Sequence, residues 1–358
     1  MKKFSIYGIC FFVALVFAGA MILMSVGPGV SSALAKKTHI RLGTSKEGST
    51  GYSCGVGLSS CINKNLTDVS MEAVPTPGST ASVKIFSKKN LDMAYASTWT
   101  LRDAYNNTGP FAKKPIARRP MQGWYYLTAD WIPLIKADRS DINSFHDMIG
   151  KKFFPHVAGS GIYDVYRYVF KEIGIWDKMK IRQTGLMDAS DSLQMGTIDV
   201  VGANSIDGGL ITSPWVRNID ARLKIKILVP SAEEQSTIRK ISGITFGKLS
   251  NKWMRPANQV LNPKVLGWSV HYGFHPGPDM PTELMYKIYK SWIENGKTDL
   301  APVNATLKFA SEHSLDLQVN AIDEARDLPV HPGVAKYLKE KGLWKSTWIV
   351  GKLSPGVN

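Results

Sequence analysis

The sequence predicts an α/β fold, and three observations carry that reading. Short alternating or continuously apolar runs that read as strands recur between helical patterns, and each ends at a turn rich in Gly, Ser or Thr. A chain of 358 residues with 44% hydrophobic and 10% aromatic residues has ample apolar area for a large core. With 10 Trp, 13 Tyr and 13 Phe, disorder is excluded. No apolar run beyond residue 35 approaches the roughly 20 residues that span a bilayer, so a polytopic membrane protein is excluded as well.

The first 35 residues stand apart. Lys2 and Lys3 form a positive head, Phe4 to Val26 is almost continuously apolar, and Ser31 to Ala35 supplies small residues before Lys36. This is the pattern of a secretory signal peptide over residues 1–35, cleaved after Ala35. A retained N-terminal anchor is the alternative, and either puts the body outside the cytoplasm. Cys10 falls in this segment, which leaves Cys54 and Cys61. On a helix, seven positions at about 1.5 Å each separate their Cα atoms by about 10 Å, beyond disulfide reach, so two buried thiols are expected.

His39 to Thr44 reads as the first strand, followed by a small-residue turn, Ser45 to Tyr52, and a helix carrying Val56, Leu58 and Ile62. Met71 to Val74 is the second strand, ending at Pro75-Thr76-Pro77-Gly78-Ser79-Thr80 before a helix with Val83, Ile85 and Phe86. Leu91 to Ala96 is the third, stopping at Ser97-Thr98. A second series begins near Trp124. Gly150 to Pro155 leads to Gly159-Ser160-Gly161 and a helix with Ile162, Val165, Tyr166, Val169, Phe170 and Ile173, while Thr197 to Gly202 and Ile225 to Val229 are further strands. From about residue 279 the pattern is helical, with Leu284, Ile288 and Ile293 on one face and Val334, Tyr337 and Leu338 on another. The sheet is expected to be largely parallel, in two lobes that share one chain.

Three times a strand, or the loop after it, runs into small hydroxyl and glycine residues just before a helix: Ser49 to Gly51, Gly78 to Thr80, and Gly159 to Gly161. Helix starts expose unpaired N–H groups and the positive end of the dipole, so they hold an anion without a formal charge. Each alone is an ordinary capped helix, but three in comparable places point to an anion site between lobes. The net charge of +15 is spread along the chain. Its densest cluster, Lys113, Lys114, Arg118 and Arg119, is broken by Pro115 and Pro120 and reads as a solvated face, not a nucleic-acid site. A positive field also draws in anionic solutes.

Enzyme signatures are weak. Gly159-Ser160-Gly161 is not a hydrolase elbow, and Gly55-Val56-Gly57 lacks the third glycine of a dinucleotide loop. His271 and His275 have a spacing seen in zinc sites, but no Cys or carboxylate cluster accompanies them, and Pro276, Gly277 and Pro278 suggest a loop edge. No metal and no cofactor are expected.

Taken together, these blocks resemble the TAXI-type solute-binding proteins of tripartite ATP-independent periplasmic (TRAP) transporters. Ile40 to Thr44 with Gly48 to Tyr52 resembles the family's first glycine-rich loop, and Thr76-Pro77-Gly78-Ser79 its Thr-Gly-Gly-Ser turn. Leu91-Asp92-Met93-Ala94, Ile149 to Lys152 with Gly159 to Gly161, Gly196-Thr197-Ile198-Asp199, and His331 to Val334 with Lys339 to Gly342 are similar to later blocks in the same order. Two departures, Gly48-Ser49-Thr50-Gly51-Tyr52 for Gly-Gly-Thr-Tyr-Tyr and Pro77 for a glycine, fall where the ligand is expected.

The resemblance implies a two-lobed periplasmic-binding-protein fold, type II-like, with a helical C-terminal segment. Lobe 1 would comprise 36–128 and the returning segment 236–358, and lobe 2 would comprise 129–235. A small organic anion, a carboxylate such as an amino acid or dicarboxylate, is expected between the lobes, on Ser49, Thr50, Gly78, Ser79 and Thr80 from one side and Ser160 and Gly161 from the other. Ser45, Gly51, Thr98 and Gly159 belong to the same turns. Tyr52, Tyr95, Trp99 and Tyr163 are candidate walls, and Ser97, Asn204 and Ser205 candidates for a second polar group. The implied role is a monomeric extracytoplasmic protein that delivers its solute to TRAP membrane subunits, with no chemistry on the solute. A sensory ligand-binding subunit and an exported enzyme are the other readings.

Overall fold

The computed structural model describes residues 37–241 and 243–358. The expected signal peptide lies outside the described residues. Among those residues no helix is long and apolar enough to cross a membrane.

The chain enters through β1 (Thr38–Gly43), α1 (Thr50–Asn65), β2 (Val69–Val74), α2 (Ser79–Ser87), β3 (Met93–Ser97) and α3 (Thr98–Asn106). The 13-residue strand β4 (Trp124–Lys136) then carries it into a second half. That half holds β5 (Lys152–Phe154), α4 (Gly161–Glu172), β6 (Lys180–Ile181), α5 (Ala189–Gln194), β7 (Val200–Ile206), β8 (Ile211–Thr212), α6 (Pro214–Arg222), β9 (Ile225–Ile227), α7 (Ala232–Arg239), β10 (Thr245–Leu249) and α8 (Pro256–Leu261). A second long strand, β11 (Val265–Pro276), returns to the first half. There α9 (Thr282–Glu294), α10 (Ala305–Glu312), α11 (Ser314–Glu324), β12 (Pro329–Val330), α12 (Pro332–Glu340) and β13 (Ile349–Val350) complete it.

Eleven of the described strands form one sheet whose main path is β2-β1-β3-β11-β4-β7-β5-β6. It is mixed, which corrects the expectation of a largely parallel sheet. The pairs β1–β2, β1–β3, β5–β7 and β5–β6 are parallel, each requiring a crossover, whereas β11 runs antiparallel to both β3 and β4. The physical reason is that β4 and β11 carry the chain out and back, so they lie side by side in opposite directions. β11 pairs with the first half near one end and with the second half near the other, meeting β3 through Tyr272–Pro276 and β10 through Val265–Ser269, while β4 meets β7 from Ala129 onward. The result is a two-lobed α/β arrangement on one mixed sheet.

The return to lobe 1 runs along β11 and does not begin at 236. Asn258, fully buried on α8, accepts from Ile225 N at 3.2 Å and donates to Asp220 and Leu223, and Asn262 donates to Ile225 O at 3.0 Å and accepts from Ile227 N at 2.6 Å. These two amides satisfy the free edge of β9 as a neighbouring strand would, which ties the segment before β11 to lobe 2.

His271 and His275 sit inside β11, which corrects the loop-edge expectation. Four strand positions separate them by about 13 Å, too far for one metal ion. His275 is fully buried as the neutral ring, accepting from Gly123 N at Nδ1 and donating from Nε2 to Ala96 O, and burial pushes its pKa down to about 3. Cys54 and Cys61 are buried free thiols, and burial pushes Cys54 up to about 12.

Candidate functional site

The starts of α2 and α4 face each other across the junction of the lobes. Gly78 caps α2 with extended-region ψ and no side chain; a methyl placed on it would stand 3.6 Å from the Ser160 Cα. Ser160 caps α4, its Oγ accepting from Tyr163 N at 3.2 Å and donating to Val157 O at 2.7 Å. Gly161 follows on the inner side. Any side chain there would run into Ser79 Oγ and stand 2.9 Å from the Tyr272 hydroxyl, so only glycine permits this approach. The three-residue turns that the sequence singles out, Gly78 to Thr80 and Gly159 to Gly161, thus meet directly.

Two further contacts cross the same seam. Thr80 Oγ1 donates to Asp164 Oδ2 at 3.1 Å, and the Trp99 and Tyr168 rings lie 4.4 Å apart. Burial raises the Asp164 carboxyl above its usual range, opposed by Arg167, 3.3 Å away on the next turn, and by the Thr80 hydroxyl. Behind the seam, Thr100 donates to Ser79 at 3.1 Å and shares a 3.0 Å bond with Ser97, whose hydroxyl also caps α3 through Thr100 N. Ser79 and Ser97 are buried, so this chain of hydroxyls fixes the α2 start against α3.

Tyrosines floor the site. Tyr272 stacks on Tyr95 at 5.5 Å and lies parallel to Trp131 at 6.4 Å, and Tyr126 donates to the Tyr95 hydroxyl at 3.2 Å. Burial raises all three phenols, so they are neutral donors and acceptors. At the third turn the hydroxyls of Ser45 and Ser49 bond to each other, Ser49 caps α1 through Tyr52 N at 3.2 Å, and Gly51 lies against Ser45 and Tyr95. Thr50 and Tyr52 are half-buried on the first turn of the same helix.

Three expected residues are turned elsewhere. Thr98 donates to Glu324 at 2.6 Å, Tyr163 packs edge-on against Trp176 at 5.6 Å, and Ser205 donates to the buried Asp130 at 3.2 Å. Asn204 is buried opposite Trp131, and its carbonyl accepts from Thr212. Conversely, Tyr272, Tyr126, Trp131 and Asp164 are missing from the sequence reading. The alternation of Trp268, Val270, Tyr272 and Phe274 carries the signal for the first of them. Asp164 looks like an ordinary first-turn acid serving its own helix dipole, and only the seam shows it reaching Thr80.

Ser160 lies 2.8 Å from His156 Nδ1, the one arrangement here that resembles a nucleophile and base. Its hydroxyl is engaged by Val157 O, burial pushes His156 down to about 4, and among the described residues no carboxylate orients the imidazole. No group of metal-ligating side chains is found among the described residues.

The model of the NMT1-like family matches residues 42–342, most of the chain. Among solved structures, the chain is similar to the periplasmic sulfonate-binding protein SsuA from Methylobacillus flagellatus KT, at 14% identity over 89% of this chain and 99% of that one, with a TM-score of 0.47. It is also similar to the periplasmic aliphatic sulphonate binding protein SsuA from Escherichia coli, at 13% identity, 85% and 84% coverage and a TM-score of 0.40. The second substrate binding domain of GlnP from Lactococcus lactis gives 14%, 76%, 95% and 0.37 for the same quantities.

Proposed function

Because the chain belongs to the NMT1-like family, we propose that it is an extracytoplasmic solute-binding protein, which captures a small organic anion between its lobes and passes it to a membrane permease. One observation carries the reading: helix starts from both lobes, Gly78 to Thr80 and Ser160 to Gly161, converge over Tyr272 at the crossing of β4 and β11. Backbone N–H groups and neutral hydroxyls there suit a carboxylate, and hinge strands joining two lobes allow opening and closing around it. The partner is a pair of TRAP membrane subunits, on the motif order along the chain. No bond of the solute is made or broken.

A thermal-shift screen against amino acids, mono- and dicarboxylates, sulfonates and neutral sugars tests this. A ligand at about 100 times its Kd adds about 2.7 kcal/mol, several degrees for this size. A shift by one anion class that disappears in Ser79→Glu, while that variant without ligand still unfolds cooperatively, supports the reading, since the buried Ser79 side chain belongs to the α2 start. Shifts by neutral sugars alone, or an unchanged response in Ser79→Glu, would sink it. Recovery of the protein with TRAP membrane subunits in solute-dependent fashion tests the partner.

A further inference from the structure

Residues 84–119 hold eight Lys and Arg and two Asp, so six of the net fifteen positive charges of the chain fall in this one stretch. The structure folds it back on itself. Arg118, in the loop after α3, reaches to α2: its guanidinium lies 3.7 Å from the centre of the Phe86 ring, donates to Phe86 O and, at 2.9 Å, to Leu91 O, and grips Asp279 through two nitrogens. Lys84 in turn stands 5.6 Å from the centre of the Phe111 ring. Lys84, Lys88 and Lys89, on and just after α2, are thereby brought to the same side of lobe 1 as Lys113 and Lys114.

All five lysines are exposed and none makes an ion pair among the described residues, whereas Lys64, Lys151 and Lys287 elsewhere each do. The two acids of the stretch are already engaged, Asp92 with Arg41 at 3.0 Å and the buried Asp103 with the Thr108 hydroxyl at 2.7 Å. Cations suit the C-terminal end of the α2 dipole, which accounts for Lys84, Lys88 and Lys89. It does not account for Lys113 and Lys114, which lie outside any α-helix and add like charge beside them.

The kind of partner follows from what the face lacks. None of the large apolar side chains of residues 84–119 is exposed, so the face has no anchor of the sort that centres a protein interface, where Lys is depleted as well. Compact ammonium groups on flexible stems, reading charge alone, match a plane of anionic headgroups. The helix α2 starts at the seam with Ser79 and ends at this face about 12 Å further on, so the two surfaces work independently.

We propose that this basic face of lobe 1 docks on a bilayer surface containing anionic phospholipids, holding the protein beside the membrane with the seam free to open and close. The contact is electrostatic, without apolar insertion, so salt weakens it steeply.

The test is co-sedimentation of residues 37–358, a compact unit without the apolar run Phe4 to Val26, with vesicles of phosphatidylcholine alone or with about one quarter phosphatidylglycerol. Binding is expected only to the anionic vesicles, at about 50 mM salt and not at about 500 mM. Replacing Lys88, Lys89, Lys113 and Lys114 together by Gln should weaken it by about a hundredfold or more, with the melting temperature unchanged. The control Lys297→Gln with Lys308→Gln, exposed positions beside and on α10, should bind like the parent. No sedimentation with anionic vesicles at low salt would overturn the proposal, and so would control and fourfold variants that lose binding alike, since net charge alone would then explain it. Retention on immobilised polyglutamate without vesicle binding would overturn the membrane as partner and assign an acidic protein instead.

Discussion

Thr80 of lobe 1 donates to Asp164 of lobe 2 at 3.1 Å, placing a protein carboxylate beside the first turn of α2. That helix start is where an anion gains from unpaired N–H groups and the dipole, and Asp164 reaches the Thr80 hydroxyl beside it from across the seam. The seam is therefore an electrostatic contact as well as a packing one, and its closeness depends on Gly161.

Gly161→Ala gives a prediction whose sign separates two effects. Helix propensity alone would stabilise the protein by about 1 kcal/mol. The added methyl meets Ser79 Oγ and the Tyr272 hydroxyl, so overpacking at about 1–3 kcal/mol should win and prop the lobes apart. The melting temperature should fall and the radius of gyration by small-angle scattering should rise. An equal or higher melting temperature with unchanged dimensions would show that the seam yields freely.

The backbone of Tyr125 supplies a second prediction. Its N–H and C=O bond to the buried side chain of Gln318 at 2.8 and 2.7 Å, beside the register shift between Tyr272 and Gly273, where β4 is flanked by helices instead of β7. Gln318→Leu fills the space but leaves two buried groups unpaired, at about 1–3 kcal/mol each. Denaturant midpoints should drop accordingly, and the Tyr125 amide should exchange markedly faster. Unchanged protection of that amide would mean that water or another group takes over.

Much of this was legible in the sequence because strand-turn-helix punctuation is local. The caps at Ser49 and Ser160 follow from residue type and position, and α4 from the spacing of Val165, Tyr166, Val169 and Phe170. What was illegible depends on pairing between distant segments. The antiparallel run of β11 beside β4 joins residues some 140 positions apart, so neither the mixed sheet nor the floor around Tyr272 follows from local pattern. Asp164 was missed for the same reason, since its partner Thr80 lies in another segment.

Asp207 should make the protein less stable as pH rises. It is buried at φ 56°, with Oδ1 accepting from Thr128 N at 3.2 Å and Oδ2 unpartnered among the described residues. Burial, with a lesser contribution from the Asp130 charge, pushes its pKa up to about 7. A raised carboxyl pKa means that the folded state holds the proton more tightly, so stability is lost as pH climbs from about 4 to about 7, by about 4 kcal/mol in all. Asp207→Asn keeps the acceptor for Thr128 and tolerates the left-handed backbone. It should melt higher than the parent at pH 7.5 and equally at pH 4; a lower melt at pH 7.5 would instead show that the charge is needed.

The buried imidazoles act in the opposite sense over an overlapping range. His331 donates from Nε2 to Met280 O at 2.9 Å and accepts from Gly333 N at 3.1 Å, and burial pushes it down to about 4, as it pushes His275 to about 3. With folded values below the unfolded 6.5, the native state binds fewer protons, so the stability each contributes is complete above about 6.5 and is lost as pH falls toward the folded value. The loss is about 3 kcal/mol for His331 and about 5 for His275. His275→Gln removes one titrating ring. Whatever it does to the melting temperature at pH 7, it should flatten the decline between pH 6.5 and 4, whereas Asp207→Asn should steepen it by removing the opposing slope. If the two variants share the slope of the parent, these groups do not titrate with folding, and the acid sensitivity of the protein resides in its ion pairs.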